Sequence, residues 1–160
     1  MLARWRNRLC LMAATACALG SGWLAGCDRA EADITVRATG MQWKWAYDYL
    51  QGEGAGRSFF SDPHRGTGTP LVVPVGKKIR LLLGAVDVIH EWYVPTLGVE
   101  QTAVPTLVRE TSFRAERTGV YRGECTPACG PDHLCLPIVV AVVSAEDYRR
   151  WVAAGAAAPK

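Results

Sequence analysis

The chain has 160 residues, 49% of them apolar and 21% charged, with a formal net charge of +3 at pH 7. That length fits one domain with short appendages, and the apolar share is normal for a globular protein. The excess charge comes from Arg4, Arg6 and Arg8, because residues 27–160 hold 15 basic and 15 acidic side chains; nothing here provides the basic surface that a nucleic-acid partner needs.

The N-terminus reads as an export signal: the three arginines precede an apolar stretch at 9–24, a charged region followed by a hydrophobic one. The stretch ends in Leu24-Ala25-Gly26-Cys27, the form of a bacterial lipobox. Residues 1–26 are therefore expected to be a lipoprotein signal peptide, cut before Cys27, which then carries lipid. An ordinary signal peptide and a retained membrane helix are the alternatives. Asp28, directly after the cysteine, resembles the retention signal of lipoproteins in the inner membrane of Gram-negative bacteria. That implies a bacterial inner-membrane location, lipid-anchored on the periplasmic face. A membrane span needs about 20 mostly apolar residues, and the best later segment, 79–99, is interrupted by Arg80, Asp87, His90 and Glu91. A tethered soluble domain is expected.

Residues 27–32 form the lipidated cysteine and a polar tether, and 33–154 the domain. Within it, 33–49 reads as two strands. Trp43, Trp45, Tyr47 and Tyr49 recur at every second position there, which puts them on one strand face. Residues 51–69, rich in Gly, Ser, Asp and Pro and containing His64, read as an exposed loop. Strands are expected at about 70–75, 78–85, 88–94, 110–116 and 119–124, and a buried valine-rich strand at 136–143. Ser144, with Asp147 at capping-box spacing, starts a helix with an apolar stripe of Tyr148, Trp151 and Val152. The tail 155–160 should fray. Many short strands and one terminal helix predict an all-β fold, a Greek-key β-sandwich or barrel with a short C-terminal helix.

Of the six cysteines, Cys10 and Cys17 lie in the signal and Cys27 is the lipid site. The other three, Cys125, Cys129 and Cys135, surround His133 within eleven residues. A disulfide framework would spread its cysteines along the chain. A tight loop between two strands instead gathers two thiolates and an imidazole, which suit copper, zinc or iron. His90, in the strand-like run Asp87-Val88-Ile89-His90-Glu91-Trp92, lies far upstream, yet a sandwich can bring it beside the loop. The competing reading is a Cys125–Cys129 disulfide, favoured by an oxidising compartment and expected in metal-free protein.

Several runs resemble one family in order. Gly123-Glu124-Cys125 through Gly130-Pro131-Asp132-His133, followed by Pro137-Ile138-Val139-Val140, looks like the dinuclear copper (CuA) loop of cytochrome c oxidase subunit II. Gln42-Trp43-Lys44-Trp45, the Asp-Val-Ile-His run, 94–99 and Gly119-Val120-Tyr121 resemble the same family. The resemblance implies a cupredoxin-like fold and a pair of copper ions bridged by Cys125 and Cys129, with His90 and His133 as terminal ligands. It also implies a weak carbonyl ligand from Pro127, which keeps its carbonyl although it lacks an N–H. Electron entry would fall on Trp43. Asp87 and Glu91 could dock a basic cytochrome c, affecting on-rate more than affinity.

The sequence departs from the family at informative places. Leu136 stands where the family has an axial methionine, and Cys135 is the possible substitute, although neighbours on a strand face opposite ways. Pro127 replaces a glutamate that bridges to magnesium. Glu100, Thr102 and Pro105-Thr106-Leu107 replace residues that face subunit I. The implied function is electron transfer from cytochrome c or a similar periplasmic donor to a haem-copper oxidase subunit I, with no catalysis by this chain alone. The alternative is a copper storage or delivery lipoprotein with a degenerate site. A thioredoxin-type protein, which would alternate strands with helices, fits poorly because no helix is expected before residue 144.

Overall fold

The computed structural model describes residues 31–62, 68–125 and 136–155. Ten strands and one α-helix follow in order. The strands are β1 (Ile34–Met41), β2 (Lys44–Gln51), β3 (Ser58–Ser61), β4 (Leu71–Pro74), β5 (Lys78–Ala85), β6 (His90–Val94), β7 (Val99–Ala103), β8 (Arg109–Arg114), β9 (Gly119–Glu124) and β10 (Pro137–Val143). Helix α1 is Ala145–Ala153, and a 3-10 turn at Pro95–Leu97 joins β6 to β7. The strands make two five-stranded sheets, ordered β3-β2-β1-β5-β8 and β4-β10-β9-β6-β7. Pairs β1–β5 and β10–β4 are parallel and the others antiparallel. Among the described residues, no helix is long and apolar enough to cross a membrane.

The expected β-sandwich with a terminal helix is what forms. Its core follows the period-two rule: side chains of alternate residues share a face. One sheet contributes Val36 and Ala38 of β1, Trp45, Tyr47 and Tyr49 of β2, and Ile79, Leu81 and Leu83 of β5. Facing them are Leu71, Val73, Trp92, Val94, Ile138, Val140 and Val142. Trp43 shares their spacing but precedes β2, and it is 37% exposed.

Two strands depart from expectation. β3 lies inside the stretch read as a loop; it pairs with β2, and Phe59 packs against Tyr47, Tyr49 and Trp151. β7 was not expected either. Its residues Glu100, Gln101 and Thr102 are polar, and only Val99 and Ala103 are buried. Both are short strands at sheet edges, where one face and one edge meet solvent, so their hydrophobic signal is weak.

The helix start agrees with its sequence. The Ser144 hydroxyl accepts from the Asp147 N–H at 3.1 Å and donates to the Asp147 carboxylate at 2.7 Å. That carboxylate is held below the usual range by the Ser144 hydrogen bond first, then by Arg150. Tyr148 is buried, and Trp151 stacks on it while the Arg57 guanidinium covers the Trp151 ring at 3.8 Å.

A buried hydroxyl ties the sheets together. Tyr49 donates to the Val72 carbonyl at 2.6 Å and accepts from the Val72 N–H at 3.2 Å. β4 is an edge strand, so these are backbone groups that no neighbouring strand serves. Burial pushes the Tyr49 hydroxyl well above its ordinary pKa, so it stays protonated and able to donate. Tyr49→Phe should therefore leave a buried donor and acceptor unpaired, a loss of about 1–3 kcal/mol for such groups. Urea unfolding checks this: the midpoint should fall with the slope unchanged.

Candidate metal centre

The local backbone explains why His90 and Cys125 meet. β6 and β9 are adjacent, with Tyr93 opposite Glu124. Gly123 makes that approach possible: a Cβ there would fall 2.0 Å from the Tyr93 carbonyl oxygen. The pairing brings the end of β9 to the start of β6, and the Glu91 N–H reaches the Cys125 sulfur at 3.3 Å. Cys125 N–H also donates to the Leu136 carbonyl at 3.2 Å, so the residues on either side of 126–135 are tied together. Cys125 and Leu136 are 6% and 3% exposed.

His90 is 3% exposed and held on several sides. Its Nε2 lies 2.7 Å from Asp87 Oδ1. Its ring lies close over Gly40, where an added Cβ would come within 2.7 Å of His90 Cδ2. Trp45 meets it edge-on at 5.9 Å between ring centroids. Asp87 also accepts from the Val88 N–H and the Gln42 N–H, each at 2.7 Å. Burial pushes this carboxyl up, but the hydrogen bonds from His90, Gln42 and Val88 outweigh it and hold the group below the usual range.

Glu91 behaves differently. Burial first, then the neighbouring Glu100 carboxylate, raises its pKa. Around this end, the residues before β6 expose Val86, Val88 and Ile89, and those between β7 and β8 expose Leu107 and Val108.

Of the residues singled out from sequence, Trp43, Asp87, His90, Glu91 and Cys125 are described, and the structure brings His90, Asp87 and Cys125 to one end of the sandwich. Cys27, His64, Pro127, Cys129, His133 and Cys135 lie outside the described residues. Among the described residues, no three metal-binding side chains form a group. Cys125 is disulfide-bonded, and every other cysteine lies outside the described residues. A disulfide sulfur is not a thiolate ligand. Once reduced, Cys125 would offer a thiolate and His90 the nitrogen that Asp87 leaves available, donor types that suit copper. The donor types thus fit copper, on the condition of reduction. Gly40 was not singled out from sequence and Gly123 only as part of a motif, although a lone glycine inside a strand signals close backbone approach.

The comparisons agree on one family. The family model for the periplasmic domain of cytochrome c oxidase subunit II matches residues 64–143. Cytochrome c oxidase subunit 2 of Cereibacter sphaeroides and that of Cyanidium caldarium are each 38% identical, over 76% and 74% of this chain. They are matched over 49% and 52% of their own lengths, so the chain spans about half the length of these curated relatives. The crystal structure of the periplasmic domain of subunit II of cytochrome oxidase (CoxB) of Bradyrhizobium japonicum is similar with a TM-score of 0.68 and 37% identity. It is covered over 94% of its length and covers 78% of this chain. A further structure at 36% identity and TM-score 0.68, matched over 78% of this chain and 92% of its own, is a mixed disulfide intermediate between a thioredoxin-like protein and subunit II of cytochrome c oxidase.

The close approach at Gly123 can be tested by adding one methyl group. At Gly123→Ala the obstruction is backbone, which has no flexible end to yield, so β6 and β9 must part. Overpacking of this kind costs about 1–3 kcal/mol or more. Gly84→Ala on β5 meets only the Leu107 carbonyl at 3.7 Å, an ordinary contact, and should stay within about 0.5 kcal/mol of the parent. Urea midpoints of the two variants measured side by side check the difference.

Proposed function

Because the chain belongs to the family of cytochrome c oxidase subunit II periplasmic domains, we propose that it transfers electrons through a dinuclear copper centre. The donor would be a periplasmic cytochrome c or similar carrier, and the acceptor a haem-copper oxidase. The observation that carries this reading is the meeting of β6 and β9, where the residue after His90 hydrogen-bonds the Cys125 sulfur. The proposed ligands are His90 and Cys125 with Cys129 and His133, and the Pro127 carbonyl as a weak ligand. Held by these residues, a copper pair would supply a shared valence and so a small geometry change on electron transfer.

The chain's own residues supply the rest. The Glu91 N–H donates to the Cys125 sulfur and holds it beside the start of β6. Trp43, partly exposed beside Gln42, is proposed as the point of electron entry. The exposed Val86, Val88 and Ile89 give that rim the apolar character common at protein interfaces. Glu91 and Asp87 would add steering of a basic donor, seen as a salt-dependent on-rate. A lipidated Cys27 would hold the domain at the periplasmic face of the inner membrane.

Copper loading first requires reduction of the Cys125 disulfide. The mixed disulfide seen with a similar subunit II domain supports a thioredoxin-like dithiol as reductant. Its thiolate attacks the disulfide to form a mixed disulfide. Its second thiol then closes the reductant's own disulfide and releases both cysteines of this chain, a two-electron exchange. Copper storage or delivery is the second reading. Leu136 supports it: buried beside Cys125, its side chain has no atom able to ligate where the family has methionine.

Adding copper to the reduced chain tests the reading. A purple complex with a pair of coppers per chain and a seven-line paramagnetic resonance pattern is expected. Cys125→Ser should abolish the pattern, and the unreduced chain should not develop it. A four-line signal, or a colourless complex, would overturn electron transfer through a shared pair and leave storage as the better account.

A further inference from the structure

Asp87 has more to do than its place near the rim requires. Both carboxylate oxygens are occupied: Oδ1 faces His90 Nε2 and the Val88 N–H, and Oδ2 takes the Gln42 N–H, each at 2.7 Å. Gln42 lies between β1 and β2 and immediately precedes Trp43; His90 begins β6 in the other sheet. One side chain therefore joins the turn before the proposed entry aromatic to the proposed ligand in the other sheet. The Val86 N–H donates to the Gly40 carbonyl at 3.1 Å and closes the same junction from the other side. Gly40 in turn leaves the His90 ring no room to move toward β1.

A neutral imidazole carries one N–H, and which nitrogen holds it follows from the partner of that nitrogen. A carboxylate accepts hydrogen bonds and donates none. At 2.7 Å from Asp87, Nε2 must therefore carry the proton, leaving the lone pair on Nδ1. A carboxylate on the far nitrogen also makes the imidazole a stronger electron donor.

We propose that Asp87 is a positioning residue that fixes the His90 tautomer, presents Nδ1 to the metal, and clamps the Gln42–Trp43 turn to the same ligand. This rests on the reading of His90 as a copper ligand. The clamp itself, however, exists in metal-free protein and can be tested there.

Two substitutions separate the two oxygens. Asp87→Ala removes both acceptors. Asp87→Asn keeps one carbonyl oxygen for His90 and Val88, but presents an N–H2 group to the Gln42 N–H. Long-range 1H–15N spectra of the metal-free full chain at mildly alkaline pH report the His90 tautomer, and amide exchange reports the Gln42 N–H. The parent and Asp87→Asn should show a single Nε2–H tautomer, and Asp87→Ala a mixture. Gln42 exchange should accelerate at least tenfold in both variants. In copper-loaded protein the reduction potential of Asp87→Ala should lie above that of Asp87→Asn, because losing the hydrogen-bond acceptor weakens the imidazole as a donor to the oxidised state. An unmixed tautomer and a protected Gln42 amide in Asp87→Ala would overturn the proposal. If instead the reduced parent chain takes up no copper while the tautomer changes as expected, the ligand reading fails and the clamp stands.

Discussion

The end of the sandwich where His90 and Cys125 meet depends on a single close approach, the packing of β9 against β6 at Gly123. The Tyr93 carbonyl occupies the space a side chain would need. Without that contact, Cys125 would not reach the Glu91 N–H, and His90 and Cys125 would belong to separate strand ends. Two residues distant in sequence become neighbours because a backbone position lacks a side chain. The sheets supply the rigidity: β6 is flanked by β7 and β9, and buried Trp92 and Val94 anchor it in the core. A site built on paired strands holds its donors more firmly than one built on loops alone.

Much of this arrangement was legible in the sequence. The alternation of Trp45, Tyr47 and Tyr49 gave the buried face of β2, and Ser144 with Asp147 marked the start of the helix. Where sequence reasoning failed, the physics is identifiable. β3 is four residues long and sits in a segment whose glycines and serines read as loop, yet edge pairing with β2 and the packing of Phe59 suffice to form it. β7 carries polar residues through its middle, and its pairing with β6 sustains it. Period and composition record burial, and edge strands bury little.

The site was partly legible for a different reason. The Asp87 to Trp92 run marked His90, but sequence order could not say where Asp87 would point. Read as a surface acid for docking, it also has both oxygens engaged within the fold and a side chain 28% exposed. The distinction lies in hydrogen-bond accounting: a carboxylate that satisfies two backbone N–H groups and an imidazole presents a fainter charge to a partner than a free one. Glu91 shows the contrast. Its neighbour is another carboxylate, which raises its pKa rather than lowering it.

The disulfide at Cys125 and the proposed copper site are two uses of one sulfur. An oxidising compartment favours the disulfide, and a soft metal ion favours the thiolate. In the disulfide form Leu136 holds the Cys125 N–H through its carbonyl, and the Glu91 N–H points at the sulfur. In the proposed reading these contacts precede the metal, and loading would wait on the two electrons that open the disulfide. Leu136 sharpens the point. It fills its place as core, 3% exposed, and contributes packing where the family contributes a sulfur ligand. A copper centre of the proposed kind, without an axial sulfur, would rely more on how its imidazoles are held. For His90, that places the burden on Asp87 and Gly40.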